Sequence, residues 1–253
     1  MTAYGSQTVD RALLVLDIVS SNEAPMGLSE IAERSGLNIS TASRMLRSLQ
    51  HHGYVRKDRL TGQYRLGYKL LYMANIVQEQ AGLYGIAHPS LEELVALTGE
   101  TATLDLVQED QDMVVLEVGS LYELHMVINV GSRRPLQCTA PGKVLLTSFS
   151  DDRVNQFMSR EMAPCTKSTN VDRTALRVEL ADIQDQGYSV SVGEYDEVLS
   201  SIAAPVRDMW GVVIASCAIW GPAARINSKE ISVLAQHVTN SARRISERIG
   251  WRP

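Results

Sequence analysis

The 253-residue chain is long enough for two domains, and its 45% hydrophobic and 21% charged residues are typical of an ordinary globular protein. No apolar stretch reaches the roughly 18 residues that span a bilayer, and the first 21 residues lack the apolar run of a signal peptide. Three widely spaced cysteines argue against a disulfide framework or a zinc site. We therefore expect a cytoplasmic protein without a membrane partner.

Charge is distributed unevenly along the chain. The net charge is −5, yet residues 34–65 hold seven basic residues and one acid, Asp58, and so carry +6. Residues 1–66 together carry +2, which leaves −7 for the remainder. A basic segment joined to an acidic module is expected where only the first contacts phosphate. The pattern predicts an N-terminal module that binds nucleic acid.

Three short helices are predicted first. Apolar residues at helical spacing predict an amphipathic helix over 8–21. Ser29 is expected to cap a second helix that ends at Gly36, and Ser40 to cap a third that runs to about His52. The outer side of the third helix carries no acid and presents the residue types that read base edges in the major groove. We expect DNA contacts from Ser40, Thr41, Arg44, Arg47 and Ser48.

A basic hairpin follows the third helix. Residues 54–57 and 63–66 alternate as short strands around a turn at 58–62. Arg56 and Arg59 give this hairpin positive charge, as expected of the wing in a winged helix-turn-helix. We therefore predict that residues 1–67 bind double-stranded operator DNA. The alternatives are a basic helix face that is only solvated, and three helices that dock a partner protein.

A linker helix is predicted over 68–87, followed by an α+β domain over 88–253. Pro89 is expected to start a helix that ends at Gly99. Strands are predicted at 101–107, 113–118, 125–130, 188–192, 201–206 and 212–220, and later helices at 142–149, 172–186 and 228–249. Because strands and helices do not alternate regularly, we expect a mostly antiparallel sheet with flanking helices.

Catalytic motifs are missing from the sequence, which has no P-loop, dinucleotide fingerprint, HExxH pair or GxSxG elbow. The run from Ala140 to Lys143 is typical of an ordinary loop-to-helix junction. Glu194, Asp196 and Glu197 form an acidic cluster that a solvated loop explains at least as well as acid–base chemistry. We predict a ligand pocket without catalytic residues, metal or cofactor. An enzyme that converts a small metabolite is the alternative.

Collinear segments along the chain resemble the IclR family of transcription regulators. They are residues 6–13, 28–32, 40–46, 53–55, 64–67, 130–136, 141–146, 194–208 and 221–226. The resemblance implies a winged-helix domain, a linker helix and a GAF-like effector domain. It also implies dimers, often paired as tetramers, on palindromic or repeated operators. Effectors of the family are typically small carboxylates or aromatic catabolic intermediates.

The resemblance also implies an effector pocket. Its positions correspond to Met126, Ala140, Pro141, Ser191, Leu199, Ser201, Ala218 and Trp220. Members that bind small acids tend to carry serine at the positions of Ala218 and Trp220, and cysteine is common at that of Ser201. Fewer hydroxyls and an added indole are expected to favour a carboxylate on a larger apolar body. The alternative is that Trp220 packs in the core and says nothing about the ligand.

Overall fold

The computed structural model describes residues 6–22, 24–80 and 82–252, with side chains except those at 74, 75, 77–80 and 228. It divides into two compact units, Met1–Ala81 and Gly82–Pro253. The predicted linker segment 68–87 includes residue 81, which lies outside the described residues. Among the described helices, none is long and apolar enough to cross a membrane.

The first unit is three helices, a hairpin and a further helix. In chain order its elements are α1 Gln7–Ser20, α2 Leu28–Ser35, α3 Ile39–His51, β1 Val55–Lys57, β2 Tyr64–Leu66 and α4 Lys69–Gln80. Strands β1 and β2 pair antiparallel, and Met26 adds two backbone hydrogen bonds to Tyr64. The helices enclose a core that includes Val15, Ile31, Leu46 and Val55. The predicted order of helices and hairpin is confirmed.

Two helix starts differ from the prediction. The N-cap of α2 is Gly27 and not Ser29, and the N-cap of α3 is Asn38 and not Ser40. The Asn38 side chain accepts the backbone N–H of Thr41 at 2.8 Å, and Ser40 donates its hydroxyl to the same side chain. Asparagine caps a helix as well as serine does, so the residue types alone do not distinguish the two candidates.

The second unit is built on one antiparallel sheet. Its strands are β3 Thr101–Gln108, β4 Gln111–Val118, β5 Arg133–Pro135, β6 Ser189–Val192, β7 Leu199–Arg207 and β8 Val213–Pro222, in the spatial order β5-β4-β3-β8-β7-β6. Its helices are α5 Leu83–Thr98, α6 Ala140–Leu146, α7 Asp151–Ser159, α8 Arg173–Gln186, α9 Ala223–Ser228 and α10 Ile231–Ile249. The predicted α+β class with an antiparallel sheet is confirmed.

The two faces of this sheet differ in character. One face is apolar and packs with residues of α5 and α10 in a core that includes Leu104, Ile202, Cys217 and Ile219. The other face packs with residues of α6, α7 and α8 and includes Trp220. Side chains alternate between the faces along each strand, so neighbours in sequence serve different cores.

Several predicted elements are wrong. Helix α5 begins at Leu83, and Pro89 lies inside it instead of at its start, although an interior proline removes one backbone hydrogen bond of the helix. The strand predicted at 125–130 is irregular, because the edge of β4 pairs with β5 instead. Helix α6 starts at Ala140, two residues before the predicted Gly142. Helices α7 and α9 were not predicted, and the helix predicted over 228–249 is α10, which begins at Ile231.

Candidate DNA-binding surface and effector site

The outer side of α3 is the first part of the candidate DNA-binding surface. Ser40, Arg44, Arg47 and Ser48 are exposed there, and Thr41 is half-buried beside them. The inner side buries Ala42, Met45, Leu46 and Leu49. Because the apolar residues recur at helical spacing, the hydroxyls and guanidiniums share the opposite side.

The two arginines of α3 carry charge that no described acid compensates. Among the residues that the structure describes, neither Arg44 nor Arg47 forms an ion pair. On α2, by contrast, Arg34 pairs with Glu30 at 2.9 Å between nitrogen and oxygen. An arginine without an acidic partner is available to phosphate oxygens and to guanine edges.

The wing holds one of its arginines against an aromatic ring. Arg56 donates to the Tyr68 hydroxyl at 2.8 Å, and its guanidinium carbon lies 4.5 Å from the centre of that ring. Both side chains are exposed. Sequence reasoning missed Tyr68, because a tyrosine after a hairpin carries no signal that it stacks on an arginine of the first strand.

The tip of the wing is closed by Asp58. Its carboxylate accepts the backbone N–H groups of Thr61 and Leu60, each at 2.9 Å, and these bonds lower the pKa of the carboxyl. Arg59 is exposed on the turn that Asp58 closes. The acid that interrupts the basic segment therefore shapes the tip that presents this arginine.

Predicted effector positions meet on the polar face of the sheet in the second unit. Ser191 on β6 lies opposite Ser201 on β7, which lies opposite Trp220 on β8. The backbone N–H of Ala140, the first residue of α6, points to the Ser201 hydroxyl at 3.3 Å. The start of α6 thus lies over this row of side chains.

The remaining positions lie beside that row. Ala218 is two residues before Trp220 on β8, and Leu199 is two residues before Ser201 on β7, so both share the face. Pro141 is buried in α6. Met126 is half-buried, and its carbonyl accepts the hydroxyl of Thr101, the residue opposite Trp220.

Trp220 lies deep in the unit. Its side chain is 1% exposed, and its indole Nε1 donates to the Thr103 hydroxyl at 3.0 Å. The guanidinium carbon of Arg134 lies 4.6 Å from its ring centre, within the range of a cation–π contact. The indole is therefore part of the core and also a neighbour of a buried charge.

A buried ion network anchors the start of α6. The Lys143 ammonium donates to both Glu194 carboxylate oxygens at 2.7 Å and to Glu179 on α8 at 2.5 Å. Lys143 is fully buried and Glu194 is nearly so. Burial raises the pKa of the Glu194 carboxyl, while the adjacent lysine opposes that change. The solvated-loop explanation of Glu194 is therefore wrong, and the junction at Lys143 is more than a simple loop-to-helix transition.

Two sequence profiles match the chain. The profile described as the IclR helix-turn-helix domain matches residues 8–59, and the one described as the bacterial transcriptional regulator IclR C-terminal matches residues 76–247. The first covers α1 to the tip of the wing, and the second covers nearly all of the sheet unit.

The chain belongs to the IclR family.

Curated relatives of this IclR-family chain are transcription regulators. It is 32% identical over 247 residues to the HTH-type transcriptional regulator KdgR of Escherichia coli, covering 96% of this chain and 94% of that protein. It is 33% identical to the regulator Rv1719 of Mycobacterium tuberculosis, covering 89% and 86%. The chain is accordingly a DNA-binding transcription regulator from a family without enzymatic activity.

Solved structures share the fold. The IclR protein of Thermotoga maritima matches with a TM-score of 0.83 at 26% identity, covering 96% of this chain and 99% of that one. An IclR homolog from Microbacterium hydrocarbonoxydans, complexed with 4-hydroxybenzoate, matches with a TM-score of 0.87 at 22% identity, covering 96% and 99%.

One cluster in the second unit escaped sequence reasoning altogether. Asp105 on β3 and Asp112 on β4 are both fully buried, and Arg134 on β5 lies between them. One guanidinium nitrogen is 3.8 Å from Asp105 and 3.7 Å from Asp112. No signal in the sequence marks these charges, because they come together only when β3, β4 and β5 pair, on the face that also carries Trp220.

Proposed function

We propose that this regulator binds operator DNA through α3 and the β1–β2 wing, and that a small molecule in the second unit controls its operator affinity. The observation that carries the proposal is the outer side of α3, where two arginines without acidic partners among the described residues stand beside exposed serines. Arginine and serine side chains bind phosphate oxygens and base edges, and double-stranded DNA presents both.

Each predicted side chain has a role in this proposal. Arg44 and Arg47 reach base edges, since arginine donates two parallel hydrogen bonds to guanine. Ser40, Thr41 and Ser48 contact bases or phosphates with their hydroxyls. On the hairpin, Arg56 and Arg59 contact the phosphate backbone, which adds affinity without sequence information.

The proposed effector is an organic acid or an aromatic catabolic intermediate, bound beside Trp220. Support comes from the row of Ser191, Ser201 and Trp220 under the start of α6. The Microbacterium homolog, which shares the fold, was solved with 4-hydroxybenzoate. In this proposal the remaining positions named from the resemblance line the same pocket: Met126, Ala140, Pro141, Leu199 and Ala218.

Control of DNA binding requires two states of the regulator. A ligand changes operator affinity only by the difference between its affinities for those states. We also propose that the protein self-associates into dimers or tetramers. Two recognition helices would then meet successive major grooves about 34 Å apart on a palindromic or repeated operator.

The test is a titration of operator DNA with Arg44→Ala. We expect operator affinity to fall by about 1–3 kcal/mol, as for the loss of one bidentate base contact. Affinity for a scrambled duplex should change much less. The control is Arg173→Ala, which removes one exposed positive charge from the second unit. Unchanged operator affinity in Arg44→Ala would remove this residue from the reading surface.

Effector control is tested separately by a thermal-shift screen of organic acids and aromatic metabolites with the full-length protein. A ligand that binds the folded state raises the melting temperature by mass action. A hit should then change operator affinity in the same titration. A protein-docking role predicts instead an interaction that is insensitive to salt and no binding of promoter DNA.

A further inference from the structure

Two of the three cysteines meet in the second unit, although 27 positions separate them in the sequence. Cys138 ends the 3₁₀ turn Leu136–Cys138, which leads into α6, and Cys165 lies in the connection between α7 and α8. The thiol of Cys165 forms a hydrogen bond with that of Cys138. A disulfide needs two cysteines whose side chains approach each other without a movement of the backbone. The pair meets this condition.

Hydrogen bonds hold the two segments in place on either side of the cysteines. The side chain of Gln137, the residue before Cys138, donates to the Ala163 carbonyl at 3.2 Å. The Thr169 hydroxyl accepts the backbone N–H of Cys165 at 3.0 Å. The contact between the thiols is therefore supported by the backbone of both segments and does not depend on the rotamer of one side chain alone.

The two thiols differ in their access to solvent. Cys138 is fully buried, whereas Cys165 is exposed. Burial raises the pKa of the Cys138 thiol to about 12, and the neighbouring Cys165 thiol adds to the rise. Cys138 is therefore protonated at neutral pH and shielded from dissolved oxidants. Because the thiolate is the form of cysteine that reacts, oxidation begins at the exposed residue, Cys165.

We propose that Cys138 and Cys165 are a reversible redox pair, which peroxide converts into a disulfide within the second unit. Cys165 is the residue that peroxide oxidises, and Cys138 is the residue that closes the bond. This inference goes beyond the proposed function, since the modification requires neither operator DNA nor an effector.

The reaction has two steps, and its atoms and electrons balance. The Cys165 thiolate first attacks one oxygen of hydrogen peroxide, so that a sulfur–oxygen bond forms, the oxygen–oxygen bond breaks and hydroxide leaves. The product is a sulfenic acid. The Cys138 sulfur then attacks the Cys165 sulfur, the sulfur–oxygen bond breaks, and the thiol proton of Cys138 leaves with the hydroxyl group as water. Peroxide takes up the two electrons that the pair loses.

The bond joins segments that surround the start of α6. Cys138 lies in the turn that leads into this helix. Thr169, four residues after Cys165, donates its hydroxyl to the Glu194 carbonyl at 2.6 Å, and the Glu194 side chain holds Lys143 of α6. A disulfide between the two segments restricts the unfolded chain, because it closes a loop of about 27 residues. We therefore expect the oxidised protein to be more stable than the reduced protein.

The first experiment maps the thiols of the full-length protein after treatment with hydrogen peroxide. Free thiols are blocked with iodoacetamide, and the protein is digested for mass spectrometry without a reductant. We expect the peptides that carry Cys138 and Cys165 to be joined with the loss of two hydrogens, and dithiothreitol to separate them. A Cys165 that forms only sulfinic or sulfonic acid, or that joins only the Cys165 of another chain, would overturn the proposal.

The second experiment repeats the oxidation with variants. Cys138→Ala and Cys165→Ser should each abolish the cross-link. In Cys138→Ala the sulfenic acid on Cys165 has no thiol to react with, so a dimedone probe should trap it. Cys217→Ala, which removes the buried third cysteine on the α5 and α10 side of the sheet, should oxidise as the unmodified protein does. Loss of the cross-link in Cys217→Ala would contradict the assignment of the pair.

Melting temperatures measure the effect of the bond on the fold. The oxidised protein should melt about 5–15 °C higher than the reduced protein, as expected for a closed loop of this length. Peroxide should leave the melting temperature of Cys165→Ser within about 2 °C. A cross-linked protein that melts no higher than the reduced one would overturn the claim that the native fold accommodates the bond.

The variants keep the test independent of folding defects and of DNA binding. If Cys138→Ala does not fold, Cys165→Ser, at an exposed position, still decides, and dithiothreitol treatment of the unmodified protein supplies the reduced reference. Operator titration is a separate measurement. A protein that binds operator but forms no cross-link overturns this inference alone, and one that forms the cross-link but binds no operator overturns the proposed function instead.

Discussion

Replacing Lys143 with methionine removes the ammonium at the centre of the buried ion network while keeping most of the unbranched apolar side chain. Lys143 is held by two carboxylates, of which Glu194 is almost enclosed, with an 11% exposed side chain, and Glu179 is 28% exposed. After the change, the Glu194 carboxylate keeps, among the described residues, only the weak backbone contact from Asn170, at 3.5 Å. A buried carboxylate is then left without its cation.

The expected cost follows from that arrangement. Breaking a buried pair by removing one partner destabilises a protein by about 3–5 kcal/mol, because the other charge stays buried. For a unit of this size each kcal/mol lowers the melting temperature by roughly 2–4 °C. We therefore expect Lys143→Met to melt roughly 6–20 °C lower. Adding Glu194→Gln removes the stranded charge and should recover much of the loss.

Denaturant unfolding followed by tryptophan fluorescence measures this cost. All three tryptophans, Trp210, Trp220 and Trp251, belong to the second unit, so the signal reports the unit that holds the network. Lys167→Met, at an exposed lysine of the same unit, is the matched control and should change stability by less than about 0.5 kcal/mol. A Lys143→Met variant within about 1 kcal/mol of the unmodified protein would refute the reasoning.

Two further predictions concern the wing and the buried acid. Arg59→Ala should weaken binding to all DNA sequences alike and reduce the slope of log affinity against log salt by about 0.9, measured by fluorescence anisotropy at several salt concentrations. A change in sequence preference with an unchanged slope would contradict a phosphate contact. The raised pKa of Asp105 means that the folded state holds this proton more tightly than the unfolded state. Its contribution to stability is therefore present below about pH 4 and is lost as pH rises through the folded-state pKa. Asp105→Asn should remove that loss, so urea unfolding between pH 4 and 8 should show a flatter profile. Parallel profiles would show that Asp105 titrates normally.

Local signals account for most of what the sequence predicts about the first unit. Helical spacing in α3 separates buried Leu46 from exposed Arg44, and Gly36 ends α2 in the left-handed conformation that favours glycine. These features depend on residues within one or two turns. The start of α3 is the exception. Asn38 and Ser40 are equally preferred residue types at an N-cap, so the sequence does not decide between them.

The second unit was harder to predict, because its site depends on pairing between distant segments. Asp105 and Arg134 are separated by 29 positions and meet only through the order of β3, β4 and β5. Lys143 and Glu194 meet because α6 packs against β6 and β7, and Glu194 lies in the connection between these strands. In addition, a charged residue on a strand is predicted to face solvent unless helices are known to cover both faces of the sheet. The strand predicted at 125–130 failed for a related reason, since an alternating pattern does not say which segment pairs with β4, and residues 133–135 take that place.

The most direct test of the account is selection of operator sequences from a random duplex library by the full-length protein. The account predicts enrichment of one motif, arranged as a palindrome or repeat, and loss of that enrichment with Arg44→Ala. No enrichment above the starting library with the unmodified protein would contradict it.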